Sequence, residues 1–146
     1  MWQRIQTLYL AIATILVASM FFCNFATILG PEGSTETLKY VEYGKFKPFL
    51  LFLIMLIAAN GIALASFKVR MLQMRVCILA AILLIAFQAW IGILVLQHRE
   101  EMVFSFTAVF PLVAAILDIL AARNIFIDEA IVHAASHLRG SRNKRK

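Results

Sequence analysis

Charge is scarce in this 146-residue chain: 15% of its residues are Asp, Glu, Lys or Arg, 62% are hydrophobic, and the mean hydropathy is +0.86. Soluble domains carry about 25% charged residues, so a water-soluble globule of this length is excluded. Acids are scarcer than bases, eight against fourteen, and the polar stretches are too short to hold a separate soluble domain. Two cysteines cannot build a disulfide framework. Of the three histidines none lies inside a long apolar run, so no pair of helices offers haem an axial ligand. The apolar runs are continuous rather than alternating, which excludes a transmembrane β-barrel.

What the chain does have is four apolar windows, about residues 7–25, 49–67, 76–96 and 104–122, each matching the ~20 residues that cross a ~30 Å hydrocarbon core. They predict an all-α membrane protein: a four-transmembrane-helix antiparallel bundle forming a single membrane domain over residues 1–146. A C-terminal amphipathic cytoplasmic helix is expected over about 128–139, where Ile127, Ile131, Ala134 and Leu138 form an apolar stripe and His133 faces water. Asp128 and Glu129 suit its first turn and Arg139 its last. Gly140 is expected to end it, leaving a disordered basic tail over 140–146.

The first window follows a positive start, as a signal peptide would, but its apolar run exceeds ~7 to 15 residues and no small-residue cleavage site follows. Phe22 precedes Cys23, so a lipoprotein site is not expected either, and the helix reads as an uncleaved anchor. With the N-terminus inside, ten bases lie on the cytoplasmic side (Arg4, Lys68, Arg70, Arg75, Arg123, Arg139, Arg142, Lys144, Arg145, Lys146) and four outside (Lys39, Lys45, Lys47, Arg99). This asymmetry places both termini in the cytoplasm.

Between the first two windows, Gly30 and Pro31 are expected to stop the helix and open a polar loop running to Lys47, with Tyr40, Tyr43 and Phe46 at headgroup level. Pro48 suits the first turn of the next helix. In that helix Ala59 and Ala63, and Gly61 and Ala65, stand at the small-xxx-small spacing that lets backbones approach. The turns at residues 68–75 and 97–102 are short and make neighbouring spans antiparallel. Pro111 predicts a kink in the outer half of the fourth span.

Cys23 and Cys77 lie near opposite faces of the membrane, roughly 20 Å or more apart in depth, which excludes a redox disulfide between them. His133 and His137, at i and i+4, could share a metal ion, but two ligands are too few and polar-face residues are the plainer reading. The buried polar set is Asn60, Gln88 and Asp118. Counting along the windows brings Asn60 and Gln88 to a common depth, where they should hydrogen-bond. Asp118 is the only acid in its window, and an intramembrane acid is by default a functional candidate. A structural ion pair is expected, with Arg4 preferred over Arg75 as the cation that snorkels to it; a proton or cation site is the alternative. Arg139, Arg142, Lys144, Arg145 and Lys146 are expected to contact anionic lipid headgroups rather than nucleic acid.

The blocks WQRIQTLYL (residues 2–10) and LAARNIFIDEAIVHAASHLR (residues 120–139) resemble a family of small four-span membrane proteins of Bacteroidetes, classed only as a domain of unknown function. In that family's pattern the second block is more basic; here His133 and His137 stand in place of charged residues. The resemblance implies an inner-membrane location and no particular activity. No span or loop pairs a nucleophile with a base or gathers a metal-ligand set. The expectation is a non-enzymatic accessory or scaffold subunit without cofactor or metal, associated with the anionic bilayer and with a membrane-protein partner or a second copy. The alternative is a small ion-coupled transporter using Asp118.

Overall fold

The computed structural model describes the backbone of residues 2–30, 35–39 and 48–143, with the side chains of residues 2–4, 35, 67 and 138–143 outside the described set. Four helices dominate: α1 (Trp2–Ser19), α2 (Pro48–Ala65), α3 (Arg70–Gln97) and α4 (Phe110–Asn143). Each packs against two neighbours, so that α1, α2, α3 and α4 run in order around the bundle, with α4 closing on α1. α2, α3 and α4 are long and apolar enough to cross a membrane, while α1 contributes the shorter apolar stretch Ile5–Ser19. The protein is an all-α membrane protein.

Helical periodicity decides which side chains turn inward. In α2 the buried positions are Phe49, Leu53, Leu56, Ala59, Asn60 and Ala63; in α4 they include Ala114, Ala115, Asp118, Ala121, Ala122 and Ile125. The opposite faces carry large apolar side chains in the open, among them Leu51 at 71% exposure and Ile82 at 58%. Contiguous apolar surface on several helices would be a severe liability in water, whereas hydrocarbon solvates it without cost. Small residues let α4 sit close to its neighbours. Only one of the two small-residue seams of α2 points inward: Ala59 and Ala63 are buried, while Gly61 and Ala65 are exposed.

One end of the bundle is closed by a sheet that hydropathy does not reveal. β1 (Asn24–Leu29) pairs antiparallel with β2 (Thr35–Lys39) and β3 (Met102–Phe104), in the order β2-β1-β3. The loop expected after the first span is therefore partly a hairpin. α1 ends at Ser19, well before Gly30, as its last turn tightens: Phe22 N donates to the Ser19 carbonyl at 3.0 Å and the Ser19 hydroxyl to that of Leu16 at 2.7 Å. Pairing on both sides satisfies the β1 backbone, which is what non-helical chain next to hydrocarbon requires. Asn24 faces Lys39 and Ala26 faces Leu38, so Phe25 is the extra residue of a bulge. Its ring is wholly buried and meets Phe49 and Phe104 edge-to-face, with centroids 5.2 and 5.4 Å away. Tyr40, Tyr43 and Phe46 lie outside the described residues.

The fourth expected span is also redrawn. Residues 102–104 are strand β3 and Phe106–Val109 a 3-10 turn. Pro111 is thus the second residue of α4, where a missing N–H leaves no bond unmade, and it kinks nothing. The chain then continues as one 34-residue helix to Asn143, about 51 Å long at 1.5 Å per residue. No separate surface helix starts at Asp128, and Gly140 does not end it. Residues 130–137 are exposed on every side, so burial does not follow the expected stripe of Ile131 and Ala134; Leu138 lies outside the described side chains. Residues 144–146 lie outside the described backbone.

Candidate functional site: a polar layer between two apolar clusters

The apolar core is split in two. Towards the sheet, a cluster gathers Ala13 and Val17 of α1, Leu53 and Leu56 of α2, Leu84 and Phe87 of α3, and Ala114 and Ala115 of α4. Towards the termini, a smaller one joins Leu10, Ala63, Cys77, Ala121, Ala122 and Ile125. Asn60 falls between Leu56 and Ala63 on α2, and Asp118 between Ala115 and Ala121 on α4, so both sit at the junction of the clusters. Both have zero exposure.

This layer is poorly satisfied. Asn60 Nδ2 donates to the Leu56 carbonyl at 3.1 Å in its own helix. Among the described residues, Asn60 Oδ1 and both Asp118 carboxyl oxygens have no hydrogen-bond partner. The Asn60 side chain is nonetheless close enough to interact with the Asp118 carboxyl, and Cys77 of α3 is close enough to sense its charge. α2 and α4 stand diagonally across the bundle, so Asn60 and Asp118 enter the layer from opposite corners.

The expected ion pair is not present among the described side chains. Arg75 is exposed. Arg4's side chain lies outside the described set, but its backbone register is known: Gln6 of α1 reaches Asp128 of α4. Asp118 is ten residues deeper and Arg4 two residues shallower, an axial gap of about 18 Å, well beyond an arginine's reach. The expected Asn60–Gln88 bond is also absent, since Asn60 Oδ1 and Gln88 Oε1 are both unpaired. α3 begins at Arg70, so Ala80 and Ala81 face the level of Asn60, and Gln88 lies about 11 Å nearer the sheet.

A polar contact that hydropathy passes over ties the bundle at the termini end. Gln6 Nε2 donates to Asp128 Oδ2 at 2.6 Å, with Gln6 only 6% exposed. The available signal was positional: Gln6 and Gln73 lie four residues before Leu10 and Cys77, on the same inward stripe. Asp128 acts here as a mid-helix acceptor, not as an N-terminal-turn acid.

Cys23 and Cys77 are free thiols in different clusters. His133 Nε2 lies 3.5 Å from Glu129 Oε1 on the exposed part of α4, and His137 is exposed. Among the described residues, no three His, Cys, Asp or Glu side chains converge as a metal site would require. The side chains of Arg139 and Arg142, and all of Lys144, Arg145 and Lys146, lie outside the described set.

Comparison with curated proteins and with solved structures gives no match. A family model described as a domain of unknown function, DUF4293, matches residues 2–138, which takes in α1 to α3, the sheet and α4 as far as Leu138. The chain belongs to the DUF4293 family.

Proposed function

We propose that the protein is a non-enzymatic accessory or scaffold subunit of a bacterial inner-membrane assembly, a four-span bundle with both termini in the cytoplasm. The observation that carries this reading is the end of α4: the helix runs on through residues 130–137, and every side chain of that stretch is exposed. A helical stretch this exposed draws little support from propensity alone. Ile131 at 61% and Val132 at 52% exposure are side chains that a partner would cover. That partner is another membrane protein or a second copy of the chain. The ten-to-four distribution of bases supports the orientation. Arg139, Arg142, Lys144, Arg145 and Lys146 are drawn to anionic headgroups at about 1 kcal/mol each near the surface. The reading involves no cofactor, metal or nucleic acid.

The test is native purification of the tagged full-length chain beside a version truncated after Glu129. A stoichiometric partner, or a self-associated complex, should accompany the full chain and be lost on truncation. A full-length chain that purifies alone and monomeric contradicts the proposal. The second reading, a small ion-coupled transporter, is favoured by one observation, the absence of a cation beside Asp118 among the described residues. The zero exposure of Asp118 weighs against it, because a transported ion needs a wetted path. Uptake by the purified protein in liposomes would establish transport.

A further inference from the structure

The Asp118–Asn60 layer has more acceptors than donors: three unpaired oxygens face one free N–H proton. Asp118 brings two acceptor oxygens and Asn60 one, all unpaired. Of the two protons on Asn60 Nδ2, one is engaged by the Leu56 carbonyl and one is left. If the carboxyl is ionised it accepts only, and Asn60 Oδ1 then has no donor and faces a negative charge. The surrounding helices offer little relief. α3 brings the Cys77 thiol and the methyl groups of Ala80 and Ala81, and α1 brings Ala13 and Val17 near this level, with the Thr14 hydroxyl engaged by the Leu10 carbonyl. Arg123 and Arg75, the neighbouring cations on α4 and α3, are exposed. Asn60, Cys77 and Asp118 have zero exposure, so bulk water does not reach them. A hard metal cation takes six or more oxygen ligands, against three side-chain oxygens here.

We propose that this layer is a proton-binding site, in which one proton resides on the Asp118 carboxyl and is donated to Asn60 Oδ1, while the remaining Nδ2 proton of Asn60 returns to the other carboxyl oxygen. One added proton closes the set. The acid gains a donor, Asn60 Oδ1 gains a partner, and the two side chains form a paired acid–amide link. That link ties α2 to α4 across the bundle diagonal, where no other polar pair does so among the described residues. It sits between the two apolar clusters, so it holds the helices in register where packing alone would tolerate sliding. A neutral carboxylic acid in an apolar site is an established donor, and neutralisation is the ordinary response of a carboxyl removed from water without a cation.

The test is infrared difference spectroscopy on the purified protein in lipid nanodiscs at neutral pH, comparing wild type with Asp118→Asn. The protonated-carboxyl stretch should be lost in Asp118→Asn, and in wild type it should shift on exchange into deuterium oxide. Loss of carboxylate bands alone would overturn the proposal. If Asp118→Asn does not fold, Asn60→Leu serves instead: the carboxyl stretch should move to the position of an unbonded acid, and an unmoved band overturns the pairing. The exchanged variant Asp118→Asn with Asn60→Asp restores one acid and one amide. It should keep the wild-type melting temperature and the protonated band, whereas a fall as large as that of Asn60→Leu would overturn the link.

Discussion

Removing the amide of Gln6 should loosen α1 from α4 by a measurable and partner-dependent amount. The bond to Asp128 is 2.6 Å long and joins residues 122 apart in sequence, with Gln6 almost fully buried. A hydrogen bond to a charged group contributes about 1.5 to 3 kcal/mol, and a length below the usual ~2.9 Å for N–H···O is consistent with charge assistance. Asp128 is only partly buried, so water replaces part of what is lost, and side-chain hydrogen bonds in membrane proteins average nearer 0.6 kcal/mol. The coupling between the two residues should therefore lie at about 1 to 2 kcal/mol. The assay is a double-mutant cycle of Gln6→Ala and Asp128→Ala, unfolded by a denaturing detergent in mixed micelles. Each single variant should be destabilised, and the double should lose less than the sum by that coupling. Asp128→Asn keeps an acceptor oxygen but not the charge, so it should fall between wild type and Asp128→Ala. Additivity within about 0.5 kcal/mol would refute the reasoning.

Phe25→Ala should cost about 3 to 5 kcal/mol, because it empties a ring-sized site and removes two edge-to-face contacts; Phe22→Ala, at 86% exposure, should stay within about 0.5 kcal/mol of wild type. Equal effects in the same denaturation assay would contradict the placement of the bulge. A methyl group at Gly61 meets nothing within 4 Å, so Gly61→Ala should be neutral or stabilise by up to about 1 kcal/mol. Ala63→Leu, at a site with no exposure, should cost about 1 to 3 kcal/mol, and a reversal of that order would mean the seam faces the other way. Alkaline phosphatase fused after Lys146 should be inactive in cells while a fusion within residues 33–42 is active; the opposite pattern would invert the proposed topology.

Hydropathy was a good guide where a run of apolar residues is bounded by polar turns, as at both ends of α2 and the C-terminal end of α3. It failed where one kind of apolar structure passes into another. The first apolar window runs into NFATIL without a charged break, so Phe25 reads as the last residue of a span and Gly30 as the helix stop, although Asn24–Leu29 is a strand. The cue was present in the turn residues of GPEGS, flanked by β-branched segments that can pair. At the other end, Arg123 read as a membrane boundary and Asp128 as a helix start. Neither Gly nor Pro interrupts residues 112–139, however, and charge ends a span without ending a helix. The buried polar set was legible in Asn60 and Asp118, whose types in apolar runs mark them out. Their mutual proximity was not, because depth counted from the edges of hydropathy windows drifts when α3 starts six residues before its window, which brought Gln88 to the wrong level. The pairing of Asp118 with Arg4 failed for the same reason, since only the Gln6–Asp128 contact sets the register of α1 against α4.

The proposed role requires the end of α4 to stand free on the side of the termini. Single cysteines at positions 130–137, in a chain with Cys23 and Cys77 replaced by serine and alanine, can be labelled with a membrane-impermeant maleimide in proteoliposomes of known orientation that hold a single copy each. The account predicts fast labelling at every one of these positions from the side of the termini, with no helical period. Protection recurring every three to four residues, or labelling from the opposite side, would contradict it.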